Sequence, residues 1–167
     1  MRKAGLGALL FDLLTHEEES VDLFTRQFRF DIDLLARRLE GVTNWLAGQP
    51  DTEKLAVGYF GASTGAAAAL VAAARLGERI GAVVSRGGRP DLAEPVLPAV
   101  KSPTLLIVGE RDERVIELNE RAYGLLRCEK DLRIVPRATH LFEEAGALEE
   151  VSRLAANWFR DHLHRIH

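Results

Sequence analysis

Ser63, Asp112 and His140 are of the residue types that together perform nucleophilic catalysis. A serine hydroxyl is a poor nucleophile at neutral pH until an imidazole takes its proton. The imidazole in turn needs a carboxylate to hold its tautomer and stabilise its charged form. Ser63 stands in Gly61-Ala62-Ser63-Thr64-Gly65, with glycine two positions to either side. A nucleophile at a tight strand-to-helix turn sits in a strained backbone conformation, and side chains at those two positions would collide with the neighbouring strand and helix. Such a turn leaves the hydroxyl exposed above the sheet. The Thr64 N–H, at the start of the following helix, then points to where an oxyanion would form. The same five residues are also an ordinary way to pack a helix closely against a sheet, so the pattern takes its meaning from its flanks.

Those flanks have the required form. Leu55–Phe60 reads as a strand and Thr64–Arg75 as an alanine-rich helix. Pro103 opens Thr104–Val108, a buried apolar strand, and Gly109-Glu110-Arg111-Asp112 follows at once, which puts a carboxylate just past a strand end. Leu132–Val135 reads as the last strand, and Pro136-Arg137-Ala138-Thr139-His140 comes next. Taken singly, His140 could be a loop histidine and Asp112 a loop acid beside Glu110 and Glu113. Taken together, each follows a predicted strand on the sheet edge that carries the serine turn.

The remaining elements must hold these loops. Gly5–Phe11 (GLGALLF) is an apolar run of strand length and is predicted to be a buried strand. Thr15 and Glu18 have capping-box spacing, and the acids and His16 beside them read as a solvated helix start. From Asp31 to Ala47, Ile32, Leu35, Leu39, Val42 and Leu46 recur at helical spacing, with Gly48 and Pro50 as stop signals. Gly77 ends the helix after Ser63, and Ile80–Ser85 reads as a strand leading into Arg86-Gly87-Gly88-Arg89-Pro90. Ligands of open α/β sheets bind at strand C-terminal ends, which makes Arg86 and Arg89 candidates for an anionic substrate group. Asp91–Val100 is a proline-punctuated connection, Glu117–Leu126 a helix, and Leu148–His162 a final amphipathic helix. Strands alternating with helices predict an α/β fold: a mostly parallel open sheet flanked by helices.

A chain of 167 residues with 47% hydrophobic content is long enough for one domain with a real core and short for two. A formal charge of −3 without a long basic run offers nucleic acid or an anionic membrane no attraction. The single cysteine, Cys128, has no partner for an internal disulfide, and the apolar stretch after Met1-Arg2-Lys3 ends at Asp12, which fits a cytoplasmic protein. His162, His164 and His167 are expected at the surface, with no cysteine or carboxylate set to complete a metal site. The glycine-rich turn holds a serine where a phosphate loop needs Lys-Ser/Thr, so neither metal nor organic cofactor is expected.

Through GLGALLFDLLT at 5–15, GYFGASTGAAAAL at 58–70, PTLLIVGERD at 103–112 and ATHLF at 138–142, the chain resembles the C-terminal two-thirds of a dienelactone hydrolase-like α/β-hydrolase. The order Ser, Asp, His is the one found in α/β-hydrolases. The resemblance implies Ser63 as nucleophile, Asp112 as acid, His140 as base and the Thr64 amide as one oxyanion donor. Relatives of this type include stand-alone hydrolases and some joined to a phosphoribosyltransferase domain. No phosphoribosyl-pyrophosphate loop stands in this sequence, so the hydrolase part alone is implied.

The sequence departs from that pattern in two respects. Dienelactone hydrolases carry cysteine where Ser63 stands. Their pattern also begins with further strands and a His-Gly-type loop that supplies the second oxyanion N–H, whereas residues 1–167 read as a single hydrolase-like domain starting after them. Gly5–Phe11 resembles the family's fourth strand, and the third would lie between it and the strand before Ser63. The edge of Leu55–Phe60 is therefore expected to be unpaired, to be filled by Gly5–Phe11 moving sideways, or to pair with a second copy. Two functions follow. One is a serine hydrolase of small carboxylic esters or lactones. The alternative is a partial, non-catalytic chain that acts as an interaction module or needs a second chain.

Overall fold

The computed structural model describes residues 5–163. Thr15 accepts a hydrogen bond from the Glu18 N–H (3.2 Å) while the Glu18 carboxylate accepts from the Thr15 N–H (2.9 Å), the reciprocal cap that opens α1 (His16–Thr25). Asp31 caps α2 (Ile32–Ala47) through the Leu34 N–H at 3.0 Å. There follow β1 (Val57–Ala62), α3 (Thr64–Leu76), β2 (Ile80–Arg86), a proline-punctuated 3₁₀ segment (Pro90–Ala99), β3 (Thr104–Gly109), α4 (Glu113–Leu125), β4 (Lys130–Val135) and α5 (Ala147–His162). α4 begins four residues before its sequence expectation, because the Asp112 carbonyl already accepts from the Ile116 N–H.

The strands form one parallel sheet in the order β1-β2-β3-β4, with Tyr59 opposite Val83, Val84 opposite Leu105 and Leu106 opposite Leu132. A parallel sheet must be covered on both faces, and β3 is buried along its whole length. One face packs on α2, α3, α4 and the 3₁₀ segment through Leu35, Leu70, Val83, Leu97 and Leu106. The other packs on α5 through Val84, Ile107, Phe142, Val151 and Phe159. Each fully buried Leu or Val contributes roughly 1.5–3 kcal/mol. Ala66 through Ala69, with Ala72 and Ala73, are buried on α3, and their small side chains let the helix lie close to the sheet. None of the described helices is long and apolar enough to cross a membrane.

Two expectations need correction. Gly5–Phe11 is not a strand: residues 6–11 have no regular structure, and Leu10 is 91% exposed. An apolar run becomes a strand only beside a partner, and this segment pairs with nothing in the sheet, β1 included. Leu6 packs on the α5 side while Leu13 and Leu14 pack on the α2–α3 side, so the segment passes from one layer to the other instead of extending along β1. His162 is half-buried rather than fully exposed. Its side chain is 13% exposed, with Nδ1 2.8 Å from the Trp158 carbonyl and Nε2 3.1 Å from Glu129. His164 and His167 lie outside the described residues.

The Arg38 guanidinium grips both oxygens of Glu18 and the Leu13 carbonyl, which fastens the irregular N-terminal segment to α2. Arg38, with the Thr15 N–H, holds the Glu18 carboxyl at about 2 against an ordinary 4.5. A depressed folded-state value stabilises the fold above the unfolded value and is lost as pH falls from 4.5 through about 2. Glu18→Gln keeps the cap acceptor and removes the charge. It is expected to lower the Tm at pH 7, with the gap to the parent chain closing across that acid window in parallel thermal melts.

Candidate active site

Ser63 has φ 51° and ψ −124°, a positive-φ conformation that a residue with a side chain adopts only under constraint. Its carbonyl accepts from the N–H groups of Arg89 (3.1 Å) and Ala66 (3.2 Å), and its own N–H donates to the Arg86 carbonyl (3.4 Å). The hydroxyl takes no part in capping α3, which leaves it for other chemistry. At Gly61 an added Cβ would lie 2.5 Å from the Gly65 carbonyl and 2.7 Å from Ala66 N, so only glycine fits. Gly65 differs from expectation. The nearest atom to a Cβ there is Leu13 Cδ1 at 3.9 Å, because the sheet ends at β1 and no neighbouring strand reaches that position.

The loop after β3 is laced to the loop after β4 by backbone bonds. Glu110 N–H donates to the Val135 carbonyl (3.0 Å), Arg111 N–H to the Ala138 carbonyl (2.9 Å), and Arg137 N–H to the Glu110 carboxylate (2.6 Å). The approach is close enough that a Cβ on Gly109 would fall 2.5 Å from the Ala138 oxygen and 2.6 Å from that of Thr139. The lacing brings Asp112 Oδ2 to 2.6 Å from His140 Nδ1. An ionised carboxylate can only accept, so Nδ1 carries the hydrogen and Nε2 keeps the lone pair that can take a proton. His140 also lies against Gly87, where a Cβ would stand 3.6 Å from its Cε1. Ser63 and His140 therefore flank the consecutive residues Arg86 and Gly87. No hydrogen bond joins His140 to the Ser63 hydroxyl, a contact that in other enzymes tightens only when substrate arrives.

Thr64 is the first residue of α3, and its N–H has no carbonyl to meet within the helix. Among the described residues no His-Gly loop supplies a second donor. Arg89 is engaged in a two-pronged pair with Asp91 at 2.8 and 2.7 Å, so its guanidinium already has an anion. Arg86 lies over the Phe142 ring at 5.5 Å and is the freer of the two. Cys128 is half-buried, and burial pushes its thiol up, away from a reactive thiolate. Among the described residues no group of three or more His, Cys, Asp and Glu could hold a metal ion. Two surface grooves, of about 690 and about 530 Å³, include none of Ser63, Asp112 and His140.

Sequence reasoning missed the tight approaches at Gly88 and Gly109, the buried Phe142 and the buried Asn119 of α4. Asn119 left one legible sign, a polar residue on the stripe formed by Val115 and Ala122.

Residues 4–161 match the model of the dienelactone hydrolase family. The chain is 61% identical over 160 residues to proteins of two Mycobacterium tuberculosis strains, CDC 1551 and H37Rv, each named "Putative phosphoribosyl transferase". That match takes in 96% of this chain and 35% of theirs, so the chain spans about a third of the length of the curated relatives it matches. The crystal structure of a dienelactone hydrolase from Anabaena variabilis ATCC 29413 superposes with a TM-score of 0.94 at 61% identity, over 98% of this chain and 76% of that one. A dienelactone hydrolase-like promiscuous phosphotriesterase from metagenomic libraries shares the fold at 19% identity, with a TM-score of 0.77 over 97% of this chain and 77% of its own.

The two glycines beside Ser63 are expected to answer differently to substitution. Gly61→Ala forces backbone atoms apart and should destabilise by ~1–3 kcal/mol. Gly65→Ala meets only ordinary contact inside a helix and should be neutral or stabilising by up to ~1 kcal/mol. Urea unfolding of both variants beside the parent chain measures the contrast.

Proposed function

The chain belongs to the dienelactone hydrolase family, and from that premise we propose that it is a serine hydrolase of small carboxylic esters or lactones. The observation that carries the reading is the 2.6 Å Asp112–His140 bond, formed at the sheet edge where Ser63 is held in a strained turn. Ser63 Oγ attacks the substrate carbonyl as its proton passes to His140 Nε2, while Asp112 accepts from Nδ1–H and offsets the charge on the ring. The carbonyl oxygen becomes an oxyanion facing the Thr64 N–H at the positive end of α3. Collapse breaks the bond to the leaving alcohol, which takes the proton from His140. Water activated by the same imidazole then releases the acid and restores Ser63. A serine hydroxyl is far less acidic than the thiol found at this position in other members, so dependence on His140 should be strong. Arg86 supplies a cation beside the site for an acidic substrate group.

The transferase name belongs to proteins about two-thirds of whose length lies outside the match. Within this chain no phosphoribosyl-pyrophosphate loop of paired acids followed by Thr-Gly stands, which favours acyl over phosphoribosyl chemistry.

A second reading draws on one observation: β1 is an edge strand, Phe60 on it is 45% exposed, and Leu9, Leu10 and Phe11 are exposed as well. On this reading the chain functions when a second copy or another polypeptide pairs along β1. Sedimentation is expected to show self-association, and a strict monomer over a wide concentration range would remove pairing with a second copy.

The hydrolase is tested with p-nitrophenyl esters. Ser63→Ala should abolish turnover, and His140→Ala and Asp112→Asn should each lower kcat by about 10²–10⁴-fold with KM little changed. Equal turnover by parent and Ser63→Ala would contradict the reading.

A further inference from the structure

One peptide unit joins α4 to the backbone of Ser63. The Arg89 N–H donates to the Ser63 carbonyl at 3.1 Å, and the Gly88 carbonyl of that same peptide accepts from Asn119 Nδ2 at 3.1 Å. Asn119 is fully buried. Its Nδ2 also donates to the Val115 carbonyl at 2.8 Å, while its Oδ1 is buried without a partner. The side-chain amide thus satisfies the buried Gly88 carbonyl while its own oxygen goes without a protein partner, so the residue serves that one peptide more than it serves itself. The peptide it holds is wedged tightly. A Cβ on Gly88 would stand 2.0 Å from Ser85 Oγ and 2.7 Å from Ala66 Cβ, so the loop has no side chain of its own at this point.

We infer that Asn119 is a positioning residue for the nucleophile, acting through the Gly88–Arg89 peptide. This rests on the reading of Ser63 as the reacting serine. Donation to the Gly88 carbonyl polarises the peptide, strengthens its N–H as a donor to Ser63, and fixes the plane in which that N–H points. If the peptide turns, the Ser63 carbonyl loses one of its two donors and the strained conformation loses support. The same loop carries Gly87, against which the His140 ring lies, so nucleophile and base are registered on one anchored segment.

The rate of fluorophosphonate labelling at Ser63, followed by peptide mass spectrometry, separates the possibilities. Asn119→Leu keeps the branch point and the number of side-chain heavy atoms and removes the donor. Ser102→Ala removes a comparable buried hydrogen bond, from Ser102 Oγ to the Ile80 carbonyl, away from the loops that carry the site. The expected result is labelling about 10–10²-fold slower in Asn119→Leu and unchanged in Ser102→Ala, with kcat for p-nitrophenyl acetate falling and KM within twofold. Loss of thermal stability in both variants with equal labelling rates would overturn the inference and leave Asn119 a structural residue. No labelling of the parent chain would instead overturn the hydrolase reading, and this inference with it. A measurement on the parent chain covers the case in which Asn119→Leu does not fold: the Asn119 side-chain amide resonances are expected to shift on phosphonylation of Ser63, and resonances unmoved by it would also overturn the inference.

Discussion

Ser63 is a non-glycine residue held at φ 51°, and the loop end of the sheet is built to keep it there. Such a conformation costs about 1–3 kcal/mol. It persists because the backbone on both sides is fully committed: its carbonyl takes two N–H donors, its own N–H reaches the Arg86 carbonyl, and Gly61 allows β1 to pass under the first turn of α3. The run of buried alanines on α3 belongs to the same constraint, since a helix that starts this close to its strand has no room for larger side chains. The strain is useful to a nucleophile because it turns the hydroxyl away from the helix cap it would otherwise serve.

The other parts of the site are placed by backbone, at the C-terminal ends of parallel strands. β2 ends in a loop that touches both Ser63 and His140, and β3 and β4 end in loops that bond to each other. Close approach at Gly61, Gly88 and Gly109 draws these loops together. Only after that does one side-chain contact, Asp112 to His140, complete the arrangement. The geometry therefore depends on the rigidity of a small sheet covered on both faces, and less on any ion pair at the surface.

How much of this was legible follows from the kind of interaction. Ser63, Asp112 and His140 stood out because each follows a strand and is of a type with specific chemistry, and the Asp112–His140 contact agrees with that placement. The cap at Thr15 and the apolar stripe of α2 could be read for the same reason, since local spacing encodes them. Gly5–Phe11 misled because apolar composition says a segment can be buried, while a strand also requires a neighbour. Gly65 misled because, among the described residues, a Cβ there would meet only Leu13 Cδ1 at 3.9 Å, an ordinary contact. The lacing of the loops left no sign in the sequence, as it runs mostly between backbone groups that every residue possesses. Arg89 illustrates the remaining difficulty: its type and place suit an anion, and the anion it meets is Asp91, its own neighbour.

The central claim is that Ser63 forms an acyl-enzyme. It is tested most directly by mixing the chain with p-nitrophenyl acetate, quenching in acid during the burst of p-nitrophenolate, and mapping the modified peptide. The account predicts a burst matching the amount of folded chain, with the acetyl group on Ser63. Hydrolysis of the ester with Ser63 unmodified and the acetyl group elsewhere, on Cys128 for example, would contradict it.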